Sequence, residues 1–202
     1  MRLKIVQVGE PVLRQPARPL SLEEIALRET QQLIVSMQET MRDAPGVGLA
    51  APQVGLALQL AVIEDRPEYS KDIAAERLAE RERKAVPFHV LINPAIVAQS
   101  DEQVEFFEGC LSLAGFSALV KRSRSVTVEY LDEHGQSRHL EAQGWYARIL
   151  QHEIDHLNGR LYIDRMDPRT FMSLENLGRY WKDMPGPSIR EALGGGKSGG
   201  KK

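Results

Sequence analysis

Apolar residues recur along this chain with two periods, and the switches between them mark the elements. Between Gly144 and Gly159 the period is helical. Trp145, Ile149, His152 and His156 fall on one stripe at 4-3-4 spacing, and Tyr146, Leu150, Ile154 and Leu157 on an adjoining one. A helix apolar on two adjoining stripes is mostly buried, so the pattern predicts a core helix with Asn158-Gly159 as its C-cap. Leu33, Ile34, Met37 and Met41 predict a second helix, reaching about Asp43 and stopped by Pro45-Gly46. Ser21 and Glu24 offer a capping box upstream of it. Pro11, Pro16 and Pro19 make residues 1–20 an extended arm. Short apolar runs bounded by turn residues predict strands over 57–63, 88–92, 118–121, 125–131 and 137–142. Asn93-Pro94 is read as a turn, strands 96–99 and 103–107 as a pair around Ser100-Asp101-Glu102, and Asp132-Glu133-His134-Gly135 as a hairpin turn. A short strand at 161–163 and a helix over 170–183 follow, the helix with Phe171, Leu174, Leu177 and Trp181 on one face. This order predicts an α+β fold: antiparallel β-sheets surrounding a central helix, with an N-terminal and a C-terminal helix.

Composition bounds the picture. The 202 residues are 42% hydrophobic, enough for one core, so 1–183 is read as a single domain and 184–202 as a flexible Pro/Gly/Lys-rich tail. A formal net charge of -2 argues against a global field for nucleic acid or membrane. No apolar run approaches the roughly 20 residues that cross a bilayer. Residues 1–9 lack the apolar core of a signal peptide. The charged stretch 64–84 reads as a solvated helical insertion and is assigned no chemistry.

Gln151-His152-Glu153-Ile154-Asp155-His156 changes the reading of the core helix. Positions i and i+4 share a face, so His152 and His156 can hold one metal ion, with Glu153 beside them to reach a water. The competing reading is a core helix with two satisfied histidines. A catalytic metal site of this kind takes a third protein ligand. Cys110, the single cysteine, and Glu175 are the candidates, Cys110 as a soft thiolate at a strand end. A lone cysteine suits a reducing compartment. His89, His134 and His139 are read as a strand residue and two surface residues. The loop from Gly46 to Gly55 is small and uncharged, and Gln53 is its one strong polar group. A buried amide must be hydrogen-bonded, so Gln53 is a structural tie or a donor aimed at a ligand.

Three segments resemble the signature motifs of peptide deformylases, in the family's order: Gly46-Val47-Gly48-Leu49-Ala50-Ala51-Pro52-Gln53, Glu108-Gly109-Cys110-Leu111-Ser112 and Gln151-His152-Glu153-Ile154-Asp155-His156-Leu157-Asn158-Gly159. The stretches Gly144-Trp145-Tyr146-Ala147-Arg148-Ile149 and Ala114-Gly115-Phe116 look most like the organelle-type branch and its bacterial relatives. The resemblance implies a hydrolase that removes the formyl group from N-formylmethionine of nascent polypeptides and releases formate. It implies Cys110, His152 and His156 as ligands of Fe2+, for which Zn2+, Ni2+ or Co2+ substitute. Glu153 is then the catalytic carboxylate, and Gln53 and the Leu111 N–H face the formyl oxygen. Glu108 and Arg122 pair behind the ligands. Val47, Trp145 and Ile149 are candidates for the methionine pocket, and Val47-Gly48 and Gly109 for strand-like pairing with the peptide backbone. The rival readings are a metalloendopeptidase with Glu175 as third ligand and a non-catalytic binder of nascent N-termini. A transient ribosome contact through 170–183 is expected, with no membrane and no specific nucleic acid as partners. The expected compartment is a bacterial cytosol; a mitochondrial or plastid enzyme freed of its transit peptide is the alternative.

Overall fold

The computed structural model describes residues 2–182 and 184–194. Helix α1 (Leu22–Ala26) starts on a capping box in which Ser21 accepts from the Glu24 N–H and Glu24 accepts from the Ser21 N–H. It runs into α2 (Arg28–Asp43). Strands β1 (Gly48–Ala50) and β2 (Leu60–Asp65) follow, then the insertion with its short helix α3 (Ala75–Glu80). Next come β3 (Val86–Gln99), β4 (Gln103–Cys110), β5 (Leu113–Ser123), β6 (Ser125–Leu131) and β7 (Ser137–Gln143). The central helix α4 (Gly144–Leu157) precedes a short strand β8 (Met172–Ser173), a helical turn α5 (Leu174–Asn176) that continues as a wider turn over Leu177–Trp181, and α6 (Gly186–Ala192).

The strands form two antiparallel sheets, one ordered β1-β2-β3-β6-β7 and one ordered β4-β5-β8. β2 explains how the larger sheet is sandwiched. Ala61 and Ile63 face α4, packing with Leu150, Ile154 and Leu157, while Leu60 and Val62 face α2, packing with Ile34, Met37 and Met41. A strand covered on both faces is apolar throughout, as Leu60-Ala61-Val62-Ile63 is. The smaller sheet contributes Leu113, Ala118 and Val120 to a third cluster with Leu13 and Tyr162. The α+β architecture, with antiparallel sheets around one buried helix, is thus the observed one.

Five local expectations change. Strands 96–99 and 103–107 do not pair: β3 pairs with β2 and β6, and β4 with β5. Asn93-Pro94 is not a turn but an irregularity within β3. Asn93 holds φ 50°, and its amide bonds both the N–H and the C=O of Leu20, anchoring the N-terminal arm. Residues 162–164 form a 3-10 turn instead of a strand, because the Asp164 carboxylate accepts from the Leu161 N–H. The helix expected over 170–183 begins at Leu174, because Ser117↔Met172 and Phe116↔Ser173 pair as sheet. The tail expected from 184 onward is helical over Gly186–Ala192, with Ile189 buried and Arg190 paired with Glu105 and Asp167. Residues 195–202 of that tail lie outside the described residues, as does Asp183.

Candidate metal centre and active site

α4 supplies the first groups. His152 and His156 sit one turn apart with ring centroids 4.9 Å from each other, and their Nε2 atoms are 3.3 Å apart. β4 ends beside them, placing Cys110 Sγ 3.3 Å from His156 Nε2. One ligand atom from each of the three lies within 4.8 Å of the others. Two imidazole nitrogens and a thiol turned toward one point, His156 buried and the other two half-buried at the cavity wall, make a donor set that suits a divalent transition metal. Glu175 is exposed on α5 and outside this cluster.

The charges around this cluster favour a cation there. His152 Nδ1 donates to Glu108 Oε2 at 3.0 Å, which turns its Nε2 toward the cluster. Burial works against protonation of His152, yet Cys110 and Glu108 hold its pKa well above the ordinary value, so this position attracts positive charge. Burial and the neighbouring His152 push His156 well below its ordinary value, leaving it neutral, the form that binds metal.

Glu108 is the hub behind the ligands. Arg122 approaches it with Nε and Nη2, both at 2.9 Å, and reaches Asp155 with Nη1. Arg165 completes Asp155 with bonds of 2.7 and 2.8 Å. Burial opposes ionisation of Glu108, but Arg122 and His152 more than offset it and hold the carboxyl far below the usual range. A second arginine, Arg148, donates to Glu108 Oε1 at 2.5 Å and to the carbonyls of Val120 and Val104. No motif in the sequence assigns it a role. The available signal was its position four residues before His152, a charge among apolar neighbours on a helix that reads as buried.

Glu153 points the other way, toward β1. It is buried, its Oε2 has no hydrogen-bond partner among the described residues, and burial pushes its carboxyl up to about 7. Gly48 makes room for it: a Cβ there would collide with the Glu153 carboxylate. Gln53 is fixed by its Oε1, which accepts from the Ala50 N–H at 2.9 Å, so that Nε2 faces Cys110 Sγ at 3.4 Å and Ser112 Oγ at 3.3 Å.

These groups share a cavity of about 480 Å³. Cys110, His152, Glu153, Gln53, Leu111 and Glu108 line it on the chemical side. Val47, Gly48, Gly109, Trp145 and Ile149 line the remaining wall. Of the expected site residues, His156 and Arg122 lie behind that surface. Phe116 and Leu174 extend the mouth outward, and neither was anticipated there.

The polypeptide deformylase family model matches residues 2–172. The chain belongs to that family. It is 46% identical over 173 residues to the chloroplastic peptide deformylase 1A of Solanum lycopersicum, covering 86% of this chain and 62% of that protein. It is 46% identical over 194 residues to peptide deformylase 1 of Bifidobacterium longum, covering 95% of this chain and 86% of that protein. The chain therefore spans less than two thirds of the plant relative and most of the bacterial one. Among solved structures, the Met-Ala-Ser-bound class I type b peptide deformylase of Acinetobacter baumannii is similar with a TM-score of 0.73 and 33% identity, covering 82% of this chain and 99% of that one.

Proposed function

We propose that this protein is a peptide deformylase: a metal-dependent hydrolase that cleaves the formyl C–N bond of N-formylmethionyl nascent peptides and releases formate. One observation carries the reading. Cys110, His152 and His156 converge at the wall of the cavity lined by the Gln53 amide and by Glu153, whose Oε2 has no hydrogen-bond partner among the described residues. The proposed metal is Fe2+, with Zn2+, Ni2+ or Co2+ as substitutes, held by Cys110, His152 and His156. When bound it supplies Lewis acidity, which acidifies a water toward a pKa of about 7 and polarises a carbonyl.

The chain's own groups do the rest. Glu153 takes a proton from water, whose oxygen bonds to the formyl carbon. The C–N bond breaks, and Glu153 returns the proton to the departing amine. Gln53 Nε2 and the Leu111 N–H face the formyl oxygen where negative charge builds; such a donor is worth about 3 kcal/mol. Val47, Trp145 and Ile149 hold the methionine side chain, and the backbone at Val47-Gly48 and Gly109 aligns the peptide. Glu108, Arg122 and Arg148 orient His152 from behind. Acetylated peptides, one methyl larger, are rejected.

A bacterial cytosol is the proposed compartment, supported by the bacterial relative matched over 95% of this chain. A transient ribosome contact is proposed through the exposed Leu174 and Tyr180. The decisive assay is formate release by anaerobically purified protein from formyl-Met-Ala-Ser and acetyl-Met-Ala-Ser. Formate from the first peptide, with no hydrolysis of the second, is expected. Internal cleavage of unblocked peptides without formate release would favour the endopeptidase reading instead.

A further inference from the structure

The insertion at 64–84 ends on the outer wall of the cavity. Past α3, residues Arg81, Glu82 and Arg83 close over the first turn of α4. The Trp145 N–H donates to the Arg81 carbonyl at 2.8 Å. Gly144 holds φ 61°, and a Cβ there would stand 2.5 Å from Glu82 Cβ and 2.8 Å from the Arg81 carbonyl, so the two segments touch backbone to backbone. Glu82 is tied to Arg124 at 2.7 Å, and Arg83 grips the buried Asp65 with two bonds of 2.8 Å.

Trp145 is thereby flanked by two guanidinium groups, Arg81 at 5.0 Å and Arg83 at 5.4 Å from its ring. Arg81 also lies 5.6 Å from the Phe106 ring, and Arg148 lies 5.3 Å from that same ring. Phe106 meets Trp145 edge-on at 6.5 Å. A cation over an aromatic face is attracted to it, more strongly where water is excluded. Arg83 has the Asp65 carboxylate as well. Arg81 differs: its buried Nε has no hydrogen-bond partner among the described residues. An unpaired buried donor costs free energy, so the two rings are what offset its placement.

We infer that Arg81 is a positioning residue for the substrate side-chain pocket: it clamps Trp145 from outside and so sets the width of the pocket that selects methionine. The inference rests on the deformylase reading. Trp145 lines the cavity with Ile149 and Val47. Without its outer clamp the indole is free to swing, and the pocket loses its fixed wall.

The test is steady-state kinetics on formyl-Met-Ala-Ser and formyl-Phe-Ala-Ser for wild type, Arg81→Ala, Arg81→Lys, Trp145→Ala and the Arg81→Ala/Trp145→Ala double variant. Arg81→Ala is expected to raise KM for the methionyl peptide about five- to tenfold, with kcat changed less than about twofold, as loss of one desolvated cation–ring contact implies. Its preference for methionine over phenylalanine should narrow. Arg81→Lys, which keeps a cation over the ring, should recover part of the KM. In the Trp145→Ala background, removing Arg81 should change nothing further. An unchanged KM, an equal kcat loss on both peptides, or a full Arg81→Ala effect without Trp145 would overturn the inference. If wild type releases no formate from either peptide, the deformylase reading fails and the inference with it. An active wild type matched by Arg81→Ala defeats the inference alone.

Discussion

Gly48 and Glu153 show how one missing side chain makes room for a buried carboxylate. Gly48 lies on β1 directly against the Glu153 carboxylate, and any Cβ there displaces it. Gly48→Ala should therefore lower kcat/KM by at least about 10²-fold, since a misplacement near 1 Å costs that much, while metal content stays near wild type. Full activity in that variant would contradict the assigned position of Glu153. Glu108 acts one shell further out, accepting from Arg122, Arg148 and His152 together. Glu108→Gln should weaken metal affinity by about 10- to 100-fold, as loss of such outer partners does; competition with a chelator reads this directly. The pairing of Glu108 with Arg122 was accessible from the motif resemblance. The part played by Arg148 was not, because a charge between apolar stripes carries no partner in its own sequence window.

The elements were legible where one period ran unbroken. α4 and α2 follow from helical spacing, and β2 from a continuous apolar run covered on both faces. The misreadings share a cause: they turn on partners distant in sequence. β3 runs on through Asn93-Pro94 because Asn93 bonds Leu20, seventy-three positions away, and the 103–107 strand joins β5 and not its immediate predecessor. The insertion read as solvated because its charges hide that Arg81 and Arg83 stack on a ring of another element. An ion pair between segments distant in sequence joins α2 to β2, where Arg42 holds Glu64 with two bonds of 2.7 Å. Hydrogen bonding from Arg42 lowers the Glu64 pKa below its ordinary value. A carboxyl depressed in the folded state adds stability above its unfolded pKa and loses it as pH falls through the folded value. Acid titration of the melting temperature should thus show a shallower fall below pH of about 4.5 in Glu64→Gln than in wild type, with a difference under about 1 kcal/mol because Arg42 is partly exposed. Identical acid limbs would remove the pair from the account.

At the scale of the molecule, two sheets and a buried helix hold groups from β1, β4 and α4 against one cavity, and the chain's last described helix braces the smaller sheet from outside. α6 buries Ile189 and ties Arg190 to Glu105 on β4 and to Asp167. Ile189→Ala should cost about 2–5 kcal/mol of folding stability, the range for a buried isoleucine, with kcat nearly unchanged in the protein that remains folded; denaturant melts measure it, and a cost near zero would make α6 an appendage. The proposed ligand set depends on Cys110 joining His152 and His156. Metal content and formate release, measured together on anaerobically purified wild type and Cys110→Ser, test that most directly. The expected result is close to one metal per wild-type chain with active formate release, and loss of both in Cys110→Ser. A Cys110→Ser protein that keeps its metal and its activity would contradict the ligand set and the function built on it.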